Sequence, residues 1–248
     1  MLRLDRIEQH YGARRVLAGV SLDVAAGRCV ALTGENGSGK STLLRIAAGR
    51  EEPSAGSALL NGAPVDEDDA DRRAEIATVL DQAACYPDLT VHEHLMLVAL
   101  AHGADDRARD LVDSALEAHR LSGHTDALPD ELSSGQRQLM ALATVAVRPY
   151  RLLILDEPEQ RLHGDARAEL AARLRAAKAR GCAILLATHD PELAERAADA
   201  THTLHDGRLD STGPGSDPDS GSEPDSGTDP GSDRHRRGHG DAATDPAP

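Results

Sequence analysis

The sequence predicts an α/β fold: a largely parallel sheet built around a phosphate loop, with an N-terminal antiparallel β subdomain and an inserted helical subdomain. Three observations carry this. First, Gly34-Glu35-Asn36-Gly37-Ser38-Gly39-Lys40-Ser41-Thr42 fits the pattern G-x-x-x-x-G-K-[ST] at every fixed position. Second, four short aliphatic runs, Cys29–Leu32, Ile76–Leu80, Leu152–Leu155 and Cys182–Ala187, have the length and character of buried strands. Third, residues 90–147 place apolar residues at three- and four-residue spacing, which reads as a block of helices between strands.

Taken in order, Leu2, Leu4 and Ile7 begin an alternating pattern that Val16-Leu17 and Val20–Val24 continue. Tyr11 stands in a polar stretch beside Gly12, so it reads as a surface or half-buried aromatic placed ahead of the loop. The turn Ala25-Ala26-Gly27 leads into the Cys29–Leu32 strand, and Leu43–Ala48 reads as the helix that follows the loop. Gly56–Leu60 reads as a strand closing on an Asn61-Gly62 turn. The charged stretch Asp66–Arg73 reads as an exposed helix start, and Ile76–Leu80 as a strand closing on Asp81-Gln82. Three helical patterns follow, over Thr90–Leu100, Arg107–Arg120 and Ser133–Val147. Leu152–Leu155 runs into Asp156-Glu157, which falls at the carboxyl end of a strand, where parallel sheets form their ligand crevice. Asp165–Lys178 is an amphipathic helix pattern, and Cys182–Ala187 ends at Thr188-His189-Asp190. Asp190-Pro191 is a cap followed by a first-turn proline, starting a helix that runs to about Ala198.

The loop itself specifies a ligand. Its glycines let successive N–H groups point inward, and the following helix adds the positive end of its dipole. Lys40 is placed to reach β- and γ-phosphates and the Ser41 hydroxyl to hold Mg²⁺. A nucleoside triphosphate is the ligand this stretch predicts.

Composition narrows the class. The 248 residues carry a net charge of −15, which argues against a nucleic-acid partner. The chain has no Phe and no Trp, so its core must be built from Ala, Leu and Val. Cys29, Cys85 and Cys182 are scattered and odd in number, which predicts free thiols in a reducing compartment, with Cys29 and Cys182 in the core. The N-terminus Met1–Arg6 lacks a signal-peptide apolar region, and the longest uncharged apolar run, Leu95–Ala101, is too short to span a bilayer. Work at a membrane therefore requires a partner. From about residue 211 the chain turns to Gly, Ser, Asp, Pro and Thr, a composition expected to be a disordered acidic tail over 211–248. The basic cluster Arg234–Arg237 lies inside it.

Leu132-Ser133-Ser134-Gly135-Gln136 resembles the signature motif of the ABC-type ATPases, where Leu-Ser-Gly-Gly-Gln is usual. By local physics, Ser133-x-x-Gln136 is also a capping box that starts a helix with exposed N–H groups. The resemblance covers about residues 1–210 and orders the other motifs. It implies a P-loop NTPase (RecA-like) core and a helical subdomain over about 83–148. Tyr11 would stack on adenine, and Val16, Gly34, Asn36, Gly37, Ser38, Gly39, Lys40, Ser41 and Thr42 would contact ATP. Gln82 matches the Q-loop glutamine, Asp156 the Walker B aspartate, Glu157 the general base and His189 the switch histidine. Mg²⁺ would be held by Ser41, Gln82 and Asp156.

The same resemblance implies a head-to-tail dimer, expected to be two copies of this chain, in which Ser133, Ser134, Gly135 and Gln136 face the γ-phosphate of the other copy. It implies an ATP-hydrolysing transporter subunit, with export favoured over import. That subunit would be cytoplasmic and peripheral on the inner face of the membrane, through a separate integral permease subunit. Tyr86–Thr90 would lie where such subunits meet the permease. The alternatives are a soluble ABC-type ATPase not coupled to transport, and a different P-loop enzyme, against which the signature and His189 argue.

Two positions depart from the family pattern: Ser134 replaces the first signature glycine, and His163 stands where the D-loop usually carries aspartate. His92, His94, His202 and His205 lack the spacing of a metal site and are expected to be surface residues.

Overall fold

The computed structural model describes residues 1–66, 68–80 and 85–212. Residues 213–248 of the expected tail, and Gln82, lie outside these residues.

Strands β1 (Leu2–Tyr11), β2 (Arg14–Val24), β4 (Ala55–Leu60) and β5 (Ala63–Pro64) form an antiparallel sheet in the order β2-β1-β4-β5. Its alternation buries Leu2, Leu4, Val20, Leu22 and Val24 and leaves polar neighbours outside. The register slips between Leu4 and Ile7, where Arg6 takes a φ of 48°. A Cβ on Gly56 would stand 2.4 Å from the Arg6 carbonyl oxygen, so this bulge accepts only glycine opposite it. The β4–β5 hairpin turns on Asn61-Gly62, both with positive φ, as the sequence indicates.

The second sheet has the order β10-β9-β3-β8-β7-β6, from β3 (Cys29–Thr33), β6 (Ile76–Val79), β7 (Leu152–Asp156), β8 (Ala183–Ala187), β9 (Ala200–His205) and β10 (Arg208–Thr212). All its pairs are parallel except β9 with β10. Both faces of β3, β6, β7 and β8 are covered, so these four strands read as aliphatic runs. Leu152, Ile154, Ala183 and Leu185 face the core shared with the antiparallel sheet and helix α1 (Lys40–Ala47). Leu153, Leu155, Ile184 and Leu186 face the opposite core, against α5 (Ser134–Ala146), α6 (Asp165–Ala179) and α7 (Pro191–Ala197).

Helices α3 (Val91–Ala101) and α4 (Ala108–Ala118) pack with α5 around a third core of Val91, Leu95, Val112, Leu116 and Met140. Thr90 caps α3 in a full capping box with Glu93. His94, expected at the surface, is instead buried, because it follows Val91 by three residues and shares that residue's inward face of α3. Helix α2 (Ala70–Glu75) is capped by Asp69 and has no buried residue. The hairpin β9–β10 has no counterpart in the sequence reading, and β10 runs two residues past the expected boundary at 210. Cys29 and Cys182 are buried, and Cys85 is half-buried; all three are free thiols.

Candidate active site

The phosphate loop connects β3 to α1. Gly39, at φ 106°, caps α1, and its Cβ position is blocked by Val16 and Leu17 at 3.0–3.2 Å. Gly34, at φ 138°, sits where a Cβ would meet the Leu204 carbonyl oxygen at 2.3 Å. The β9–β10 hairpin thus floors the loop, and Gly207 continues the contact: a Cβ there would lie 2.5 Å from the Val16 carbonyl oxygen. Sequence reasoning missed this hairpin. Its residues are mostly polar, and the tight approach to Gly34 is a tertiary fact.

A cavity of about 230 Å³ is lined by Tyr11, Arg14, Val16, Asn36, Gly37, Gly39, Lys40, Ser41, Thr42 and Glu157. The structure therefore gathers most of the expected nucleotide residues with Glu157. Beside it, a second cavity of about 330 Å³ is bounded by Arg14, Arg15, Ser38 and the hairpin residues His205, Asp206 and Gly207. The buried Lys40 donates through Nζ to the carbonyls of Gly34 at 2.8 Å and Glu35 at 3.0 Å. Ser38 Oγ is buried without a hydrogen-bond partner. A lysine turned onto its own loop and an orphaned hydroxyl fit a site built for phosphate oxygens.

Tyr11, the last residue of β1, is 47% exposed and presents its ring to the cavity while its hydroxyl is tethered. That hydroxyl donates to Glu51 Oε1, which also accepts from Gln9 Nε2 at 2.7 Å; Glu51 Oε2 accepts from Arg45 Nε at 3.1 Å. Burial pushes the Glu51 carboxyl up, but bonds from Tyr11, Arg45 and Gln9 outweigh it and hold the pKa below the usual value. Arg45 also reaches Thr42 Oγ1 at 3.4 Å, so one network joins the loop helix to the aromatic.

Asp156 ends β7, and Glu157 follows with φ 47°, its N–H donating to the Ala187 carbonyl at 2.9 Å. This left-handed turn aims the carboxylate at the loop. His189 Nε2 stands 2.8 Å from Glu157 Oε1, and Gln160 Nε2 donates to Glu157 Oε2. Behind them Glu159 is buried, and its Oε1 accepts from Thr188 Oγ1 at 2.5 Å and from the His189 N–H at 3.1 Å. Glu159 and Gln160 were not singled out in the sequence, although the Glu-x-Glu spacing after an aliphatic strand is a visible signal.

Ser133 caps α5: its Oγ accepts from the Gln136 N–H at 3.2 Å, and Gln136 Oε1 accepts from the Ser133 N–H at 2.8 Å. Gly135 abuts the segment after Glu157, since a Cβ there would meet the Arg161 carbonyl oxygen at 2.8 Å. Gln138 Nε2 reinforces this contact by donating to the Pro158 carbonyl at 3.1 Å. Ser133, Ser134, Gly135 and Gln136 do not line the loop cavity of their own chain. Among the described residues, no group of three or more His, Cys, Asp and Glu side chains forms a metal site.

The sequence model of the ABC transporter family matches residues 17–160. The chain belongs to the ABC transporter family. Within it, the chain is an ATP-binding protein of the ABC-type ATPase class. It is 36% identical over 208 residues to the Nod factor export ATP-binding protein I of Paraburkholderia xenovorans, covering 84% of this chain and 68% of the relative. A solved structure of the ATP binding subunit of an ABC transporter superposes with a TM-score of 0.76 at 34% identity, covering 84% of this chain and 88% of that one. The dimeric bacterial ABC transporter cassette MJ0796 shares the fold at a TM-score of 0.76 and 24% identity, over 84% of this chain and 96% of that one. No helix among the described residues of this ABC subunit is long and apolar enough to cross a membrane.

Proposed function

We propose that this ABC subunit hydrolyses ATP to power export through a separate membrane-spanning permease, and that it works as a head-to-tail dimer of two copies. The observation that carries the reading is Glu157 in the loop cavity with Lys40 and Ser41, its carboxylate paired with His189.

The cavity takes ATP with the adenine on Tyr11 and the phosphates over the loop N–H groups and Lys40. Ser41 and Asp156, with Gln82, are the residues to hold Mg²⁺, and an ion that keeps several waters needs no all-protein cage. Bound there, Mg²⁺ supplies positive charge to the β- and γ-phosphate oxygens. Glu157 polarises the attacking water as general base, and His189 keeps that carboxylate aimed. Ser133, Gly135 and the α5 N-terminus, which do not line their own loop cavity, supply donors and dipole to the nucleotide of the second copy.

Export rests on the likeness to the Nod factor export ATP-binding protein. A permease contact is supported by exposed apolar residues on the helical lobe: Tyr86, which packs on His94 with ring centroids 5.9 Å apart, and Leu97 and Leu100 one turn apart on α3. Both observations support a subunit held on the inner membrane face by such a partner.

Affinity purification from detergent-solubilised membranes, with partners identified by mass spectrometry, tests the reading. A polytopic membrane protein recovered in stoichiometric amount is the expected result. Recovery from the soluble fraction with soluble partners alone supports an ABC-type ATPase uncoupled from transport.

A further inference from the structure

A cavity of about 520 Å³ lies between the helical lobe and the core, and its lining shares no residue with the loop cavity. Its size falls within the roughly 300–1,000 Å³ of small-molecule sites. Its walls are aliphatic: Leu142 and Val145 from α5, Leu153 and Leu155 from β7, Leu170 and Leu174 from α6. The C-terminal end of α4 closes one side with Ala118 and His119.

The polar lining is one-sided in charge. Arg148, Arg173 and Arg180 line the cavity, and no Asp or Glu is among the described lining residues. Arg148 Nη2 donates to the carbonyls of Arg73, Ala74 and Ile76 at 3.0–3.2 Å, yet its Nε is buried without a partner. Arg173 Nη2 donates to the Ala118 carbonyl and to Glu169 Oε2, and its Nη1 is likewise buried and unmatched. Burial lowers the pKa of both guanidinium groups, with Glu169 opposing it at Arg173. His119 adds no charge at neutral pH, since burial, with Arg173 beside it, depresses its pKa to about 4. Apolar walls lined by three guanidinium groups, with no carboxylate among the described lining residues, complement an anion on an apolar body.

We infer that this cavity binds a small free carboxylate with a single aliphatic chain, its head group accepting from Arg148 and Arg173 and its chain lying along the leucines of α5, β7 and α6. Guanidinium groups favour carboxylates through charge-assisted bonds. The site is distinct from the nucleotide site, and it touches the strand that carries Asp156.

Calorimetric titration of the full chain with decanoate, below its micellar concentration, tests this, with decylammonium as the charge-reversed probe. The expected result is saturable binding of one equivalent of decanoate, with decylammonium at least about tenfold weaker. Arg173→Gln and Arg148→Gln are each expected to weaken decanoate about tenfold. Ala146 is exposed and lines the cavity, so Ala146→Trp fills it from the surface. That variant should abolish decanoate binding while ATP affinity stays unchanged, which shows that the fold is intact. Absence of saturable binding, equal binding of both probes, or undiminished binding by Ala146→Trp overturns the inference. So does sedimentation with phosphatidylglycerol vesicles without uptake of free decanoate, which assigns the arginines to a membrane surface.

Discussion

His189 Nε2 lies 2.8 Å from Glu157 Oε1, a bond that joins the loops leaving two adjacent strands of the sheet. The Glu157 backbone reinforces it by donating to Ala187, the last residue of β8. A carboxylate held by its own backbone and by a side chain from the neighbouring strand has little freedom to swing from the loop. His189→Ala removes that restraint but leaves the phosphate loop untouched. We expect kcat to fall by about 10²-fold, in the lower part of the range for lost acid–base chemistry, with ATP affinity nearly unchanged. Steady-state ATPase assays beside nucleotide binding measure both. An equal loss in binding would assign His189 to the ground state.

Glu51 sets the pose of Tyr11. Tyr11→Ala should weaken ATP by about 1–3 kcal/mol, the usual contribution of base stacking on an aromatic. Glu51 does not itself line the loop cavity, so Glu51→Ala should reproduce part of that loss by freeing the ring. The double variant should lose less than the sum, because both changes remove one interaction. Fluorescent-nucleotide titration of the three variants gives the coupling; strict additivity would separate Glu51 from Tyr11.

Glu159 carries two bonds to the Thr188-His189 segment on one buried oxygen, while its other oxygen, Oε2, is buried and unmatched. Glu159→Ala should cost about 1–3 kcal/mol in urea unfolding, since it strands the Thr188 hydroxyl and the His189 N–H. It should also lower kcat, because the His189 backbone loses its anchor. Glu159→Gln keeps an acceptor oxygen and should restore most of both. Loss of stability without any change in kcat would confine Glu159 to a structural role.

Acid sensitivity should show the buried His119, whose Nδ1 lies 2.8 Å from the Ala115 carbonyl. Its folded pKa of about 4 lies below the ordinary histidine value of 6.5, so the unfolded chain binds the proton first as pH falls. Its contribution is complete above pH 6.5 and is lost as pH drops through 4. His119→Gln cannot titrate there, so the stability gap between wild type and variant should narrow by about 3 kcal/mol from pH 7 to pH 4. Thermal or urea unfolding across that range measures it, and a constant gap would contradict the assignment.

The central strands were legible because both faces of β3, β6, β7 and β8 are covered, which leaves uninterrupted aliphatic runs in the sequence. Helices α3 and α5 were legible from apolar residues at three- and four-residue spacing, and α5 also from its cap, Ser133 with Gln136. The β9–β10 hairpin was not. Ala-Thr-His-Thr-Leu-His has no apolar alternation, and pairing with β3 and β10, with Thr33 Oγ1 against Thr203 Oγ1 at 3.0 Å, makes it a strand. In the site, the loop and Glu157 follow from local pattern. The tether on Tyr11 comes from Glu51, 40 residues away, and the brace on His189 from Glu159, 30 residues away. Contacts of that range leave no periodic trace.

The most direct measurement is ATP turnover and oligomeric state of Glu157→Gln, by phosphate release and by light scattering on a sizing column. Turnover should be lower by about 10²–10⁴-fold, with unchanged ATP affinity and a stable dimer in ATP that dissociates in ADP. Near-normal turnover, or a monomer in saturating ATP, would contradict hydrolysis by Glu157 across a head-to-tail dimer.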